Sequence, residues 1–487
     1  MVLTLENILL VGSFLLILSV FFSKSSKYGI PTVVLFLLVG MLAGADGIGK
    51  INFFDIHISK FIGTLALILI LFSGGLDTRF SDIRSVLLPG ALLSTLGVLV
   101  TAVATGLFIW SITHLSLLEG LLLGSIISST DAASVFTIFR AKNTGLKGRI
   151  RPLLELESGS NDPMAYFLTI FFIFILKSES VSIGKLVLFF CKQFLLGIPF
   201  GILMGFAIVR ILNRIHLNSD GLYSVILIAL AVFTFAFSDF IGGNGYLSVY
   251  IAACIAGNRE FVHKRSLTKH FDGQAWLMQV IMFLTLGLLV YPRQLIPVIP
   301  LGLILSFFII LVARPLAVFI SLAFSKFNIR SKLFVSWVGL RGAVPVILSI
   351  YVLDAKLENG TFVFNLVFFI SLLSVLIQGS TISWFASFLG LSVPVTLRKK
   401  TAIETEFITT IKPFRAELEI RNGSPFSNKS LVSLSLPKEV LISMVTRDDI
   451  LFVPDGATTF QEGDHLTVMA DSEEIMDKFR KMINPAT

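Results

Sequence analysis

Charge is what this sequence has least of. Only 14% of its 487 residues are Asp, Glu, Lys or Arg, where a soluble chain of this length carries nearer a quarter. Its two cysteines, Cys191 and Cys254, both lie in apolar runs, which indicates neither a disulfide framework nor a ligand cluster. The N-terminus lacks the basic stretch of a cleavable signal. Glu6 precedes the first apolar run and Lys24 and Lys27 follow it, as in an uncleaved first span with its N-terminus outside. No histidine lies in the deep apolar segments, so the nucleophile–base pair of a membrane enzyme is missing and no enzymatic activity is expected. What fills the chain instead is apolar. It is 55% hydrophobic, with a mean hydropathy of +0.88, in recurring runs of roughly 17–25 residues, each able to cross ~30 Å of hydrocarbon.

About thirteen such runs begin near residues 5, 30, 61, 86, 117, 152, 184, 220, 244, 274, 297, 330 and 362. The fold class expected is therefore an all-α polytopic membrane protein over residues 1–395. A linker at 396–403 then leads to a small cytoplasmic α+β domain at 404–487, whose segments AELEI, EVLISMV, DILFVP and HLTVMAD read as strands and SEEIMDKFRKMI as a closing helix. Lys and Arg crowd one alternating set of loops. Lys24/Lys27, Arg79/Arg84, Arg140 to Arg151, Arg210/Arg214, Arg259 to Lys269 and Lys326 to Lys332 hold 18, against 6 in the other set. The positive-inside rule makes the first set cytoplasmic, and the exit at Arg398-Lys399-Lys400 puts the tail there as well. The net charge of +8 thus reflects topology and not nucleic-acid binding.

Charges inside the apolar runs are the main clue, because an ionised group at mid-membrane is costly unless paired or hydrated. Asp131, Asp162, Arg314 and Arg341 each lie roughly 14–18 Å along a helix from the nearest cytoplasmic basic residue. Four charges from four spans at one level predict one polar centre. Ser158 and Asp162 are four apart and share a helix face, so both can offer oxygen to one cation. Glu157 points about 140° away from Asp162, toward a different neighbour, with Arg314 the first choice of counter-ion and Arg341 the second. Glu155, nearer the cytoplasmic end, reads as hydrated, and Asp77 and Asp239 as solvated span ends.

Two spans read as broken. SIISSTDAASVF sets Ser128, Ser129, Thr130 and Asp131 inside the fifth, residue types that favour caps over helix interior. VGLRGAVP sets Gly339, Gly342 and Pro345 inside the twelfth. With the seventh span as a linker, both breaks occupy the fifth position of a six-span half, the layout of inverted repeats with a midplane site. Gly197, Gly201 and Gly205 form a doubled GxxxG, read first as close helix packing and second as a dimer contact.

At ESGSNDP, with STDAA before it and GLRGA after it, the chain resembles the NhaP-type cation/proton antiporters over roughly residues 1–395. The resemblance implies a homodimer of thirteen-span subunits with crossed broken helices and a core domain moving against a dimerisation domain. By the same resemblance Asp162, beside Asn161, holds the ion and the proton; Thr130 and Ser158 supply further ion-binding oxygen; Asp131 supports the crossing; and Glu157 pairs with an Arg. Many relatives carry an acid in the third span where this chain has Ser73 in LFSGGLD. The tail resembles the C-terminal subdomain of potassium-conductance regulators, which tilts the expected cation from sodium to potassium. It also allows a nucleotide ligand, although no Gly-rich phosphate cradle is present.

The expected function is electroneutral 1:1 exchange of potassium (or sodium) for protons by alternating access, regulated by the tail, in the cell (inner) membrane. No cofactor is expected. A carboxyl in a poorly hydrated site is costly to leave charged, so a proton and an alkali cation compete for it. A ligand-gated potassium channel or uptake subunit with the same tail is the alternative, and it lacks a repeated TVGYG-like filter.

Overall fold

The computed structural model describes residues 12–18, 32–141, 144–178, 182–217, 219–394, 414–421, 423–434, 436–437, 439–447, 450–470 and 472–484. Lys24, Lys27, the linker 396–403 and the expected tail start at Glu404 lie outside the described residues. The chain divides into two compact units, Met1–Val395 and Thr396–Thr487.

The first unit is helical. In chain order its helices are α1 (12–18), α2 Thr32–Ala43, α3 Ile56–Asp77, α4 Phe80–Ile112, α5 Leu117–Ile127, α6 Ala132–Ala141, α7 Ile150–Lys177, α8 Ile183–Arg214, α9 Asp220–Phe240, α10 Gly245–Gly257, α11 Lys264–Leu289, α12 Pro292–Ser321, α13 Ile329–Trp337, α14 Ala343–Asp354 and α15 Gly360–Phe388. Eight of them are long and apolar enough to cross a membrane, and four shorter ones are predominantly apolar. Counting α5 with α6, and α13 with α14, as two halves of one passage gives thirteen passages among the described residues. Large apolar side chains such as Leu195, Leu203, Val225 and Phe240 are exposed on the outside, as a lipid-facing surface requires. This is a multi-pass membrane protein.

Local chemistry sets the ends. Ser116 and Glu119 form a capping box at the start of α5, and Asn244 Oδ1 accepts from Leu247 N at 3.0 Å at the start of α10. The doubled GxxxG of α8 is spent inside the molecule. A Cβ on Gly201 would stand 2.8 Å from Ser248 O and one on Gly205 2.7 Å from Ile255 Cβ, so the glycines let α8 lie directly on α10.

The two halves share their irregularities. The second passages, α2 and α10, are short. The fourth, α4 and α12, each widen into a π-type turn, at Leu93–Gly97 and Ile309–Ala313. The fifth are broken, between α5 and α6 and between α13 and α14. Packing repeats as well, since α2 lies on α11 as α10 lies on α3. That is the layout of two repeats on either side of α8. Strands β1 Thr144–Leu146 and β2 Ser392–Pro394 pair antiparallel and tie the loop after α6 to the end of α15.

The second unit is an antiparallel sheet of β3 Phe414–Glu419, β4 Val440–Arg447, β5 Ile450–Phe452 and β6 His465–Ala470 in the order β3-β6-β4-β5. Helix α16, Glu473–Ile483, adds Met476, Phe479 and Ile483 to a core with Val445, Leu466 and Val468. Asp464 is fully buried and gripped at both oxygens by Arg447, at 2.7 Å each. Burial opposes its charge, but the guanidinium and the Gln461 N–H outweigh burial and hold the carboxyl below its ordinary range.

Candidate functional site

The broken passages cross each other at their breaks. Asp131 N donates to Leu340 O at 2.8 Å, joining the two irregular segments directly. A broken helix leaves orphan backbone groups at both new ends, and side chains satisfy them here. Past the end of α5, Arg341 Nη1 donates to Ser128 O and Ser129 O at 3.1 Å each, placing positive charge at the negative end of the helix dipole. At the start of α6, Asp131 accepts from Ser134 N at 3.1 Å and from Ser134 Oγ at 2.6 Å. Ala132 N donates to Ser158 Oγ at 3.0 Å. In the other break Arg341 N donates to Ser374 Oγ at 2.9 Å, and Gln378 Nε2 to Trp337 O at 2.8 Å. The crossing needs Gly342, where a Cβ would stand 2.5 Å from Asp131 Oδ2.

Against this crossing lies one face of α7. Asp162 is buried and its Oδ1 accepts from Ser129 Oγ at 2.5 Å. Thr130 O accepts from Ser158 Oγ at 3.2 Å and from Asn161 Nδ2 at 3.3 Å, and Asn161 Nδ2 also donates to Thr130 Oγ1. Asn161 Oδ1 is buried without a hydrogen-bond partner. Thus Asp162, Asn161, Ser158 and Thr130 gather oxygens from two elements beside a single carboxylate. Among the described residues no group of three His, Cys, Asp or Glu could hold a metal ion. One acid with neutral oxygens suits a monovalent alkali cation better than the multi-carboxylate cages of divalent ions.

Glu157 faces away from that cluster. Its Oε1 lies 2.5 Å from Arg314 Nη2, with both side chains almost entirely buried. Arg314 also donates to Val335 O at 3.4 Å, so the pair links α7, α12 and α13. Of the two arginines weighed as partners of Glu157, Arg314, the first choice, makes the ion pair, whereas Arg341 donates to the carbonyls of the first break. Glu155 is bonded to Arg151 at 2.8 Å, and Asp77 and Asp239 are exposed. Cys191 and Cys254 are free.

Two contacts escaped the sequence reading. Ser129, the donor to Asp162, was visible only as part of a break. Ser73 Oγ donates to Asp272 Oδ1 at 3.0 Å, so where α3 lacks an acid a carboxylate from α11 stands against it. Asp272 sits in the polar first turns of α11, outside the apolar run that marks the span.

The family described as sodium/hydrogen exchanger, transmembrane, matches residues 12–388, and the TrkA-C domain matches residues 415–484. A protein of Shewanella baltica named K(+)/H(+) antiporter NhaP2 is 37% identical over 476 residues, 97% of this chain and 82% of its own length. The K(+)/H(+) antiporter NhaP of Alkalimonas amylolytica is 36% identical over 472 residues, with the same coverage of each chain, 97% and 82%. Among solved structures, the sodium proton antiporter MjNhaP1 of Methanocaldococcus jannaschii at pH 8 superimposes with a TM-score of 0.68 at 23% identity, covering 78% of this chain and 100% of that one. That likeness is one of fold.

Proposed function

The chain belongs to the sodium/hydrogen exchanger family, and from that premise we propose that it exchanges one potassium ion for one proton at Asp162. It is a cation/proton antiporter with a TrkA-C regulatory domain, and the gated-channel alternative is set aside because relatives matching 97% of the chain are named antiporters. The cation and the one-for-one ratio are our reading. The observation that carries it is the single buried carboxylate of Asp162, bonded to Ser129 beside the Thr130 carbonyl at the crossing.

The mechanism follows from charge. Asp162 carries either a proton, which leaves it neutral, or a cation, which Thr130 O, Ser158 Oγ and Asn161 Oδ1 help to coordinate while its own charge balances the ion. Both loaded forms are electrically neutral at that site and can be moved across a dry barrier; the bare carboxylate cannot. Asp131 and Arg341 hold the crossing. Glu157 adds no transported charge because Arg314 holds it. One charge therefore moves each way.

Residues 1–395 form the transporting domain, 396–403 the linker and 404–487 the regulatory domain, which is the part that would take a nucleotide or other small ligand. The loop charges support an N-terminus outside and a tail in the cytoplasm of a cell whose inner membrane holds the protein as a homodimer.

Purified protein in liposomes with an internal pH dye tests the reading. A potassium step should drive saturable alkalinisation or acidification whose rate is the same at different imposed membrane voltages. Voltage-dependent turnover would overturn the 1:1 ratio, and a response to sodium with none to potassium would replace the cation. Ending the chain after Leu397 should leave exchange in place and change its pH or ligand dependence. A truncated protein identical to the full chain under every effector would remove the regulatory role of the tail.

A further inference from the structure

One turn along α7 from Asp162, on the same face, stands Tyr166, and it belongs to a cluster that the exchange site does not use. Tyr166, Tyr246 and Tyr351 are all buried. The Tyr166 ring lies 4.8 Å from that of Tyr246 and 5.6 Å from that of Tyr351, edge-on to both. The Tyr246 and Tyr351 hydroxyls are 3.3 Å apart, and the Thr64 hydroxyl is 3.1 Å from that of Tyr351. Nearer the helix ends that the loop charges place outside, Lys60 Nζ lies 4.6 Å over the Tyr351 ring and donates to Asp354 Oδ2 at 2.7 Å. His57 Nδ1 is 3.5 Å from the other oxygen of Asp354.

The elements involved fall into two sets. Tyr166 is on α7 and Tyr351 and Asp354 on α14, the helices that carry Asp162 and begin at the crossing. Lys60 and Thr64 are on α3 and Tyr246 on α10, which supply none of the ion-site oxygens. Every polar contact between Thr64 or Tyr246 and Tyr351, and between Lys60 and Asp354, therefore runs from one set to the other.

We propose that Tyr166, Tyr246 and Tyr351, with Thr64 and latched by the Lys60–Asp354 bridge, form the gate that shuts Asp162 from the outer face and must open once in every cycle. The inference rests on the exchange reading above and names the residues that alternate its access. Tyrosine fits such a gate: the edge-on rings exclude water when shut, with the Tyr246 and Tyr351 hydroxyls on each other and the Tyr166 hydroxyl on Asp239 Oδ1 at 3.4 Å, and all three hydroxyls can turn to water when open. The latch is partly exposed to solvent on both sides, and a bridge of that kind is weak enough to part at each turnover.

A removable tether across the gate tests this. In full-length protein with Cys191→Ser and Cys254→Ser, Lys60→Cys and Asp354→Cys are joined by a bifunctional, reducible thiol reagent in proteoliposomes. The unlinked protein should exchange potassium for protons. Linking should cut the rate about tenfold or more, and reduction should restore it. Exchange at the unlinked rate in protein shown by mass spectrometry to be linked would overturn the gate while leaving the exchange reading intact. Absence of exchange in the unmodified chain would sink that reading instead. If the cysteine pair is inactive before linking, Lys60→Asp with Asp354→Lys decides. Recovery by the swapped pair supports the latch; inactivity in this folded variant also overturns it.

Discussion

Replacing Asp162 by asparagine is expected to reduce exchange to the level of protein-free liposomes, in a protein that still folds. The amide has nearly the shape of the carboxyl, and its oxygen can still accept from Ser129, which lies 2.5 Å from Asp162 Oδ1. What it loses is the charge. Without charge the cluster cannot neutralise an alkali cation, and without a titrating oxygen it cannot carry a proton back. Both half-cycles fail together, which separates this variant from one that merely weakens binding. Ser158→Ala, by contrast, removes one neutral oxygen and should raise the cation concentration needed for half-maximal rate while leaving the proton-carrying acid in place. The folded state should not suffer in Asp162→Asn, because the carboxylate is buried on the Ser129 hydroxyl with no counter-ion among the described residues, so removing its charge relieves a desolvation cost. The check is a dye-reported pH change after a potassium step, together with a thermal midpoint in detergent. Exchange at the wild-type rate would move the site elsewhere.

How much of this was open to inspection in the sequence differs by element. The thirteen passages were legible because hydrocarbon imposes a length and an apolar composition on each. Their starts were less so: α11 begins at Lys264, well before the apolar run near residue 274, since hydropathy reports only the part of a helix that lies in lipid. The breaks were legible because Ser128 to Asp131 and Gly339 to Pro345 are residues a helix interior disfavours. The π-type turns were not, since LSTLG, with Ser94, Thr95 and Gly97, and IILVA, two residues before Pro315, lie within apolar runs that continue as helix on both sides. Side-chain charges could be placed at one depth, which made Arg314 and Arg341 both candidate partners of Glu157, with Arg314, just before Pro315, the first choice. The true partners of Arg341 were hidden because they are backbone carbonyls, which every residue type carries. The tyrosines were silent for a similar reason: they are spaced across α7, α10 and α14, and only the fold brings the Tyr246 and Tyr351 hydroxyls together with the Tyr166 ring against both.

Glu157→Gln is expected to be the most destabilising single change in the membrane unit, and the reason lies in what it leaves behind. Glu157 and Arg314 are almost entirely buried and bonded at 2.5 Å. Isolated, either charge would be prohibitively costly there, so each is tolerated only because of the other. Arg314 cannot swing to water. A Cβ on Gly339 would sit 2.6 Å from its Nε, so the guanidinium fills the space that this glycine leaves open, and its bond to Val335 O is a long one at 3.4 Å. Removing Glu157 strands that cation beside the buried Arg341, and breaking a buried pair in this way costs about 3–5 kcal/mol. The double variant Glu157→Gln with Arg314→Gln removes the stranded charge as well and should be more stable than Glu157→Gln alone, which is the signature of coupling rather than of lost packing. Because the pair joins α7 to α12 and α13 without touching the Asp162 oxygens, any protein that survives the double change should retain a titrating Asp162 and measurable exchange. Thermal midpoints of the four proteins in the cycle decide the matter. A wild-type midpoint for Glu157→Gln, or a double variant no more stable than the single, would mean that Arg314 finds its compensation somewhere other than Glu157.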